Sequence, residues 1–235
     1  MYKWGYVVRN VADAADPPRA ARYQVQVWTP EELRAFFGST KEDRHGALWF
    51  VYAATGMRRG EALGLRWEDV DLKRNELHVR RSLVTVGHTV VETEPKTASG
   101  FRTIGIDTAT VAQLKQHRAA QHQDRLLAGP AWTDSDAVFS DELGQTLHPN
   151  NVGAAFRSAV RKTSLPRIRL HDLRHGWATM ALMQGVPAKV ASQRLGHSSV
   201  AFTLDTYSHV LPEMQIDAAE RVAELFHQPS EDVGS

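Results

Sequence analysis

The stretch Leu170-His171-Asp172-Leu173-Arg174-His175 concentrates more reactive side chains than any other part of the chain. On a helix, His171 and Arg174 lie three residues apart and share a face, so an imidazole and a guanidinium can converge on one ligand. A guanidinium is a planar fork of donors matched to two oxygens of a phosphate, and an imidazole can donate, accept or carry a proton near neutral pH. The same residues also describe a solvated basic helix with a capping histidine. Other positions invite a similar double reading. Arg58, in Thr55-Gly56-Met57-Arg58-Arg59-Gly60-Glu61, stands at a helix start, where unpaired backbone N–H groups favour an anion and a cation is out of place. Lys96, in Glu94-Pro95-Lys96-Thr97, falls at the expected tip of a β-hairpin, free to reach solvent or a ligand. His197 follows Gly196 at a helix-ending turn, and Tyr207 lies between Phe202 and Val210, where a tyrosine at the rim of the core is the plainer reading. Taken in chain order, Arg58, Lys96, His171, Arg174 and His197 could surround a phosphodiester with donors, and Tyr207 could stand beside it as an oxygen nucleophile. Phosphoryl transfer asks chiefly for charge stabilisation and in-line positioning, so no metal is expected at such a site.

The elements that must hold these groups can be read from helix and turn signals. Asn10, Asp13, Pro17 and Pro18 make residues 1–26 a linker. Thr29-Pro30-Glu31-Glu32 starts the first helix, with Thr29 as N-cap, Pro30 at the first helical position and Glu32 closing a capping box. A second helix over 44–54 ends at Thr55-Gly56, and a short third begins at Arg58 or Arg59. Between 75 and 106, β-branched residues punctuated by Gly87-His88 and Thr97-Ala98-Ser99-Gly100 predict one small three-stranded antiparallel sheet. Helices are expected over 109–127, 149–163, 171–184, 187–195, 201–209 and 212–226, with a disordered tail at 227–235. The fold class is mainly α with a small antiparallel β-sheet, an α+β arrangement.

Composition narrows the function classes. The 235 residues, 42% hydrophobic and 23% charged, suffice for a packed core. The absence of cysteine excludes disulfide scaffolds, thiolate metal sites and cysteine nucleophiles. No apolar run approaches the ~20 residues that span a bilayer, and no secretory signal opens the chain, so a soluble cytoplasmic protein without a membrane partner is expected. A net charge of +1 decides nothing about a polyanionic partner, because clustering matters more than the total.

Four motifs occur in one order: ATGMRRGEALGLRWEDVD, EPKTASGFRTI, HDLRHGWATMAL and RLGHSSVAFTLDTYSHV. Together they closely resemble the catalytic domain of the tyrosine recombinase, or phage integrase, family. The resemblance runs from about Gln26 to Phe226. It implies a catalytic domain over 27–226, preceded in 1–26 by a linker and the remnant of an N-terminal core-binding domain. It further implies DNA strand cleavage and rejoining without a cofactor. Tyr207 would attack a backbone phosphate, forming a 3′-phosphotyrosyl link and releasing a 5′-hydroxyl. His171 would take the phenolic proton, Arg58 and Arg174 would hold the non-bridging oxygens, His197 would add a hydrogen bond, and Lys96 would protonate the departing oxygen. Glu61 and Asp69 either orient Arg58 or are exposed helix charges. Expected DNA contacts are Arg157, Arg161, Lys162, Arg167 and Arg169 around the histidine–arginine helix, with Arg80, Arg81 and Arg102 on the sheet. The implied partners are double-stranded DNA, further copies forming a homotetramer on two sites from a monomer without DNA, and an accessory directionality factor. A phage or mobile element is the expected setting. A type IB topoisomerase, a non-catalytic DNA-binding regulator of the same fold and a metal nuclease are the competing readings.

Overall fold

The computed structural model describes residues 26–87, 89–95, 100–207 and 211–227. Residues 1–25 of the linker expected at 1–26 and residues 228–235 of the tail expected at 227–235 lie outside these residues, as does Lys96, while residue 227 ends a helix. Thr29 caps α1 (Pro30–Ser39): its hydroxyl accepts from the Glu32 N–H at 3.2 Å while Glu32 accepts from the Thr29 N–H at 2.8 Å. Next come α2 (Gly46–Thr55) and α3 (Arg59–Leu63). α2 is almost wholly apolar and is buried on most sides, as its GALWFVYAAT sequence requires. Trp49 on α2 packs edge-on against Phe156 of α5 (Pro149–Arg161), and Trp28 and Phe36 close the same aromatic cluster. The Trp28 indole donates to the Pro166 carbonyl at 2.9 Å, which anchors the start of the described chain across the core.

The β region departs from the expected single sheet. Strands β1 (Val70–Asp71), β2 (Glu76–Val79) and β5 (Arg102–Gly105) form a three-stranded antiparallel sheet in the order β1-β2-β5, with Leu77 opposite Ile104. Strands β3 (Ser82–Val86) and β4 (Thr89–Thr93) form a separate antiparallel pair. The break falls at Arg80 and Arg81. Their guanidinium groups turn to Asp69, at 3.5 and 2.7 Å, which interrupts the apolar alternation between β2 and β3. Because β4 pairs with β3 and β5 with β2, the two described strands on either side of residues 96–99 do not pair with each other. The physical reason is that strand pairing depends on tertiary partners, which alternation in the sequence does not name.

The remaining helices follow their expected places: α4 (Thr108–Ala128), α6 (Leu170–Met183), α7 (Ala188–Leu195), α8 (Val200–Thr206) and α9 (Leu211–His227). Ala178, Leu182, Ala191, Leu195 and Tyr207 form a second buried cluster between α6, α7 and the end of α8. No helix among the described residues is long and apolar enough to cross a membrane.

Two glycines end helices in the left-handed conformation, Gly56 after α2 with φ 66° and Gly196 after α7 with φ 68°. A side chain at Gly56 would also stand 2.9 Å from Leu195 Cδ2. Gly56→Ala should therefore lower the unfolding free energy in urea by about 1–3 kcal/mol. An unchanged midpoint would mean that this turn carries no strain.

Candidate active site

The carbonyls turned out by these two glycine caps help to hold two arginines. Arg174, on α6 and 2% exposed, donates to the Gly56 carbonyl at 2.6 Å and to the Leu195 carbonyl at 2.8 Å. Arg58, the residue before α3, donates to the Gly196 carbonyl at 2.6 Å and to Glu61 at 2.8 Å. A guanidinium has five N–H donors, so both retain donors beyond these contacts. Arg174 is driven down to about 10 by burial, then by the charge of Arg58, and so stays protonated at neutral pH. Arg58 is half-exposed, so of the two arginines it is the one open to solvent.

Glu61 holds the arrangement together. It also accepts two hydrogen bonds from Arg102, at 2.7 and 3.1 Å. Burial pushes its carboxyl up, but the Arg102 hydrogen bonds and charge and the Arg58 N–H and guanidinium more than reverse this and bring it to about 2. Of the two acids read as partners of Arg58, Glu61 therefore makes the contact. Asp69 does not: it is occupied by Arg81, Arg80 and the Arg66 N–H.

His171 and His197 both lie within the field of Arg174. His171 and His175, one helical turn apart on α6, meet edge to face at 4.8 Å between ring centres. His171 keeps an open edge to solvent, yet desolvation first, then the charges of His175 and Arg174, hold it down at about 4. His197, after the Gly196 turn, is also held at about 4, by desolvation and then by Arg174 and Arg58. Its Nδ1 pairs with Thr203 Oγ1 at 2.8 Å. Both rings are therefore neutral at pH 7, able to accept or donate a proton without first losing one.

Tyr207 caps α8 and is 1% exposed. Burial pushes its phenol up to about 12, with Arg174 pulling the other way. Its oxygen lies 2.9 Å from His175 Nδ1. The imidazole expected at the phenol was His171; the structure puts His175 there, with His171 one ring further out. His175 lies four residues after His171 on the same helical face, and that spacing was the available signal.

The expected DNA-facing cations divide. Arg102 is not a surface residue: its side chain is 7% exposed, clamped on Glu61, and its Nε donates to the Arg194 carbonyl at 2.6 Å. Arg81 is likewise engaged, with Asp69, Glu68 and Glu92, and Arg80 pairs with Asp69. The strand pattern could not show that acids from the preceding turn lie under these arginines. Arg157, Arg161, Lys162 and Arg167 are exposed, and Arg169 is exposed while closing a capping box with Asp172. Sequence reading also passed over Arg194, which ties α7 to β5 and α2 through the Gly105 and Ala54 carbonyls. Among the described residues, no group of three or more histidines and carboxylates gathers to hold a metal ion.

Residues 26–214 match the sequence profile of the phage integrase family. The chain belongs to that family. It is 30% identical over 240 residues to a XerC-like tyrosine recombinase of Caldanaerobacter subterraneus, an alignment covering 94% of this chain and 61% of the relative. It is 28% identical over 220 residues to the ICEBs1 integrase of Bacillus subtilis, covering 92% and 59%. The chain thus spans about three fifths of the length of these relatives. Its fold is that of tyrosine recombinase catalytic domains. The Tn1549 transposon integrase, solved in complex with transposon right-end DNA, superimposes with TM-score 0.74 at 21% identity over 92% of this chain and 71% of that one. The crystal structure of XerA recombinase gives 0.67 at 23% identity over 92% and 71%.

The integrase fold here leans on a carboxylate whose proton affinity is depressed, so the sign of its pH effect is defined. The contribution of Glu61 is complete above its ordinary value of 4.5 and is lost as pH falls toward about 2. Glu61→Gln should cost about 3–5 kcal/mol at pH 6, because two guanidinium groups lose their counter-charge. The gap from wild type should narrow on acidification toward pH 2.5, as followed by urea unfolding. A gap independent of pH would remove the ion pair as its origin.

Proposed function

We propose that this chain is the cleaving and rejoining part of a site-specific DNA recombinase of a phage or integrative mobile element. The observation that carries the reading is the gathering of Arg58, Arg174, His171, His197, His175 and Tyr207 around one end of α6. Longer relatives that include the ICEBs1 integrase, and a neighbour solved on transposon right-end DNA, support DNA as the substrate.

In this reading the free donors of Arg58 and Arg174 grip the non-bridging oxygens of a phosphodiester, and His197 adds a hydrogen bond. The Tyr207 oxygen bonds to phosphorus as the bond from phosphorus to the 5′ oxygen breaks. The phenolic proton passes to His175, the imidazole in contact with it, with His171 behind. Lys96 supplies a proton to the leaving 5′ oxygen. One phosphoester replaces another, so rejoining needs no ATP. Because Tyr207 is enclosed, attack requires the end of α8 to shift and bring the phenol out of its cluster. Exchange of strands between two duplexes, with a tetramer assembled on them, is the activity proposed for the whole protein.

The test is a pool of nicked duplexes of randomised sequence, incubated with the protein in EDTA and resolved under denaturing conditions. A covalent protein–DNA adduct is expected. It should vanish in Tyr207→Phe and form about 10²–10³-fold more slowly in Arg174→Ala, the loss typical of one oxyanion donor. An adduct that survives in the phenylalanine variant would remove Tyr207 from this role. Relaxation of supercoils without exchange between marked duplexes would favour a type IB topoisomerase instead.

A further inference from the structure

We propose that the cleft beside the active site contains a second anion site, formed by Arg59, Arg157 and the Tyr52 hydroxyl, which binds a non-scissile phosphodiester of the DNA. The proposal rests on the reading of the chain as a DNA-cleaving integrase and adds a separate binding position to it.

The cleft has a volume of about 720 Å³ and runs between α2, α3, β3 and α5. Arg58 and His171 line one part of it, so it is continuous with the active site. Arg59 and Arg157 line another part. Their Nη1 atoms lie 3.6 and 3.7 Å from the point where a Cβ on Gly153 would stand. Arg157 follows Gly153 by one helical turn, and the missing side chain leaves a cradle between the two guanidinium groups. Arg58, Arg102 and Arg169 each have an acidic partner, whereas among the described residues neither Arg59 nor Arg157 has one. Two guanidinium groups converging without a carboxylate repel each other until an anion bridges them.

A second observation is independent of the arginines. Tyr52, on α2, is 1% exposed and lines the same cleft, and its hydroxyl has no hydrogen-bond partner among the described residues. Thr85 Oγ1, on β3, is a second buried oxygen without a partner on the cleft wall. Buried hydroxyls are rarely left unpaired, so two around one basic cleft point to a ligand with acceptor oxygens. The charged groups around Tyr52 are Arg174, Arg59, Glu61 and Asp172, and burial pushes its phenol well above the ordinary value, keeping it a donor. A phosphodiester supplies both the negative charge and the acceptors. Continuity with the Arg58 end of the cleft favours one on the same bound DNA over a free phosphate ion.

The experiment measures the affinity of the chain for a mixed-sequence duplex as a function of salt. The double variant Arg59→Ala with Arg157→Ala should reduce the slope of log K against log salt by about 0.9, the loss of one phosphate contact, and each single variant by less, because the remaining arginine still neutralises that phosphate. A double-variant slope equal to wild type would overturn the site, and a double variant losing about 1.8 would assign the arginines to separate phosphates and overturn their sharing of one. Tyr52→Phe should weaken binding about threefold or more while raising the melting temperature of the free protein, because an unpaired buried hydroxyl is removed and the ring stays packed. Unchanged binding, or a lowered melting temperature, would make the hydroxyl structural. Adduct formation by Tyr207 is scored on the same preparations. An adduct with unaltered slopes sinks the second site alone, and reduced slopes without an adduct sink the active-site reading alone.

Discussion

One carboxylate serves three guanidinium groups at the centre of this chain. Glu61 pairs with Arg58 and Arg102, and its field also reaches Arg174, which is otherwise held by backbone carbonyls. A carbonyl satisfies an N–H but does not cancel a charge, so the site is left with uncompensated positive charge in a partly desolvated place. A phosphodiester is the kind of group that relieves it. Glu61 also joins elements far apart in the chain, because Arg102 belongs to β5 and its Nε reaches the end of α7. Without that acid, three like charges would face one another across α3, β5 and α6.

The same field sets the protonation of the groups around it. Desolvation, and then the neighbouring positive charges, keep His171 and His197 neutral, and enclosure keeps Tyr207 protonated. An imidazole within hydrogen-bond reach of a phenol is the geometry that general-base activation requires, and His175 stands in that place. The enclosure of Tyr207 has a second consequence. A phenol fully inside its cluster is protected from chance reaction, and its exposure becomes a conformational event located where α8 ends.

Much of the helical frame could be read locally. The Thr29–Glu32 capping box, the glycine stops at Gly56 and Gly196, and the spacing of His171 and Arg174 depend on contacts within a few residues, and they stand where the motifs put them. Distant partners could not be read. Arg102 looked like a surface cation on a strand and is an internal clamp, because its acid lies 41 residues earlier. Asp69 was a candidate partner for Arg58 and is occupied by Arg80 and Arg81. His175 stood inside a quoted motif with no role until α8 brought Tyr207 to it.

The order of residue types along the chain determined the family, the helix boundaries and the identity of the candidate nucleophile and cations, because capping, periodicity and motif spacing are short-range properties. Tertiary structure alone decided the division of the β region into two sheets, which arginines are spent inside the fold, which histidine meets the phenol, and where Arg59 and Arg157, without an acidic partner among the described residues, approach Gly153. Each of these depends on groups far apart in sequence becoming neighbours in a place that excludes water, where the pairing of a charge or hydroxyl carries its largest energetic weight.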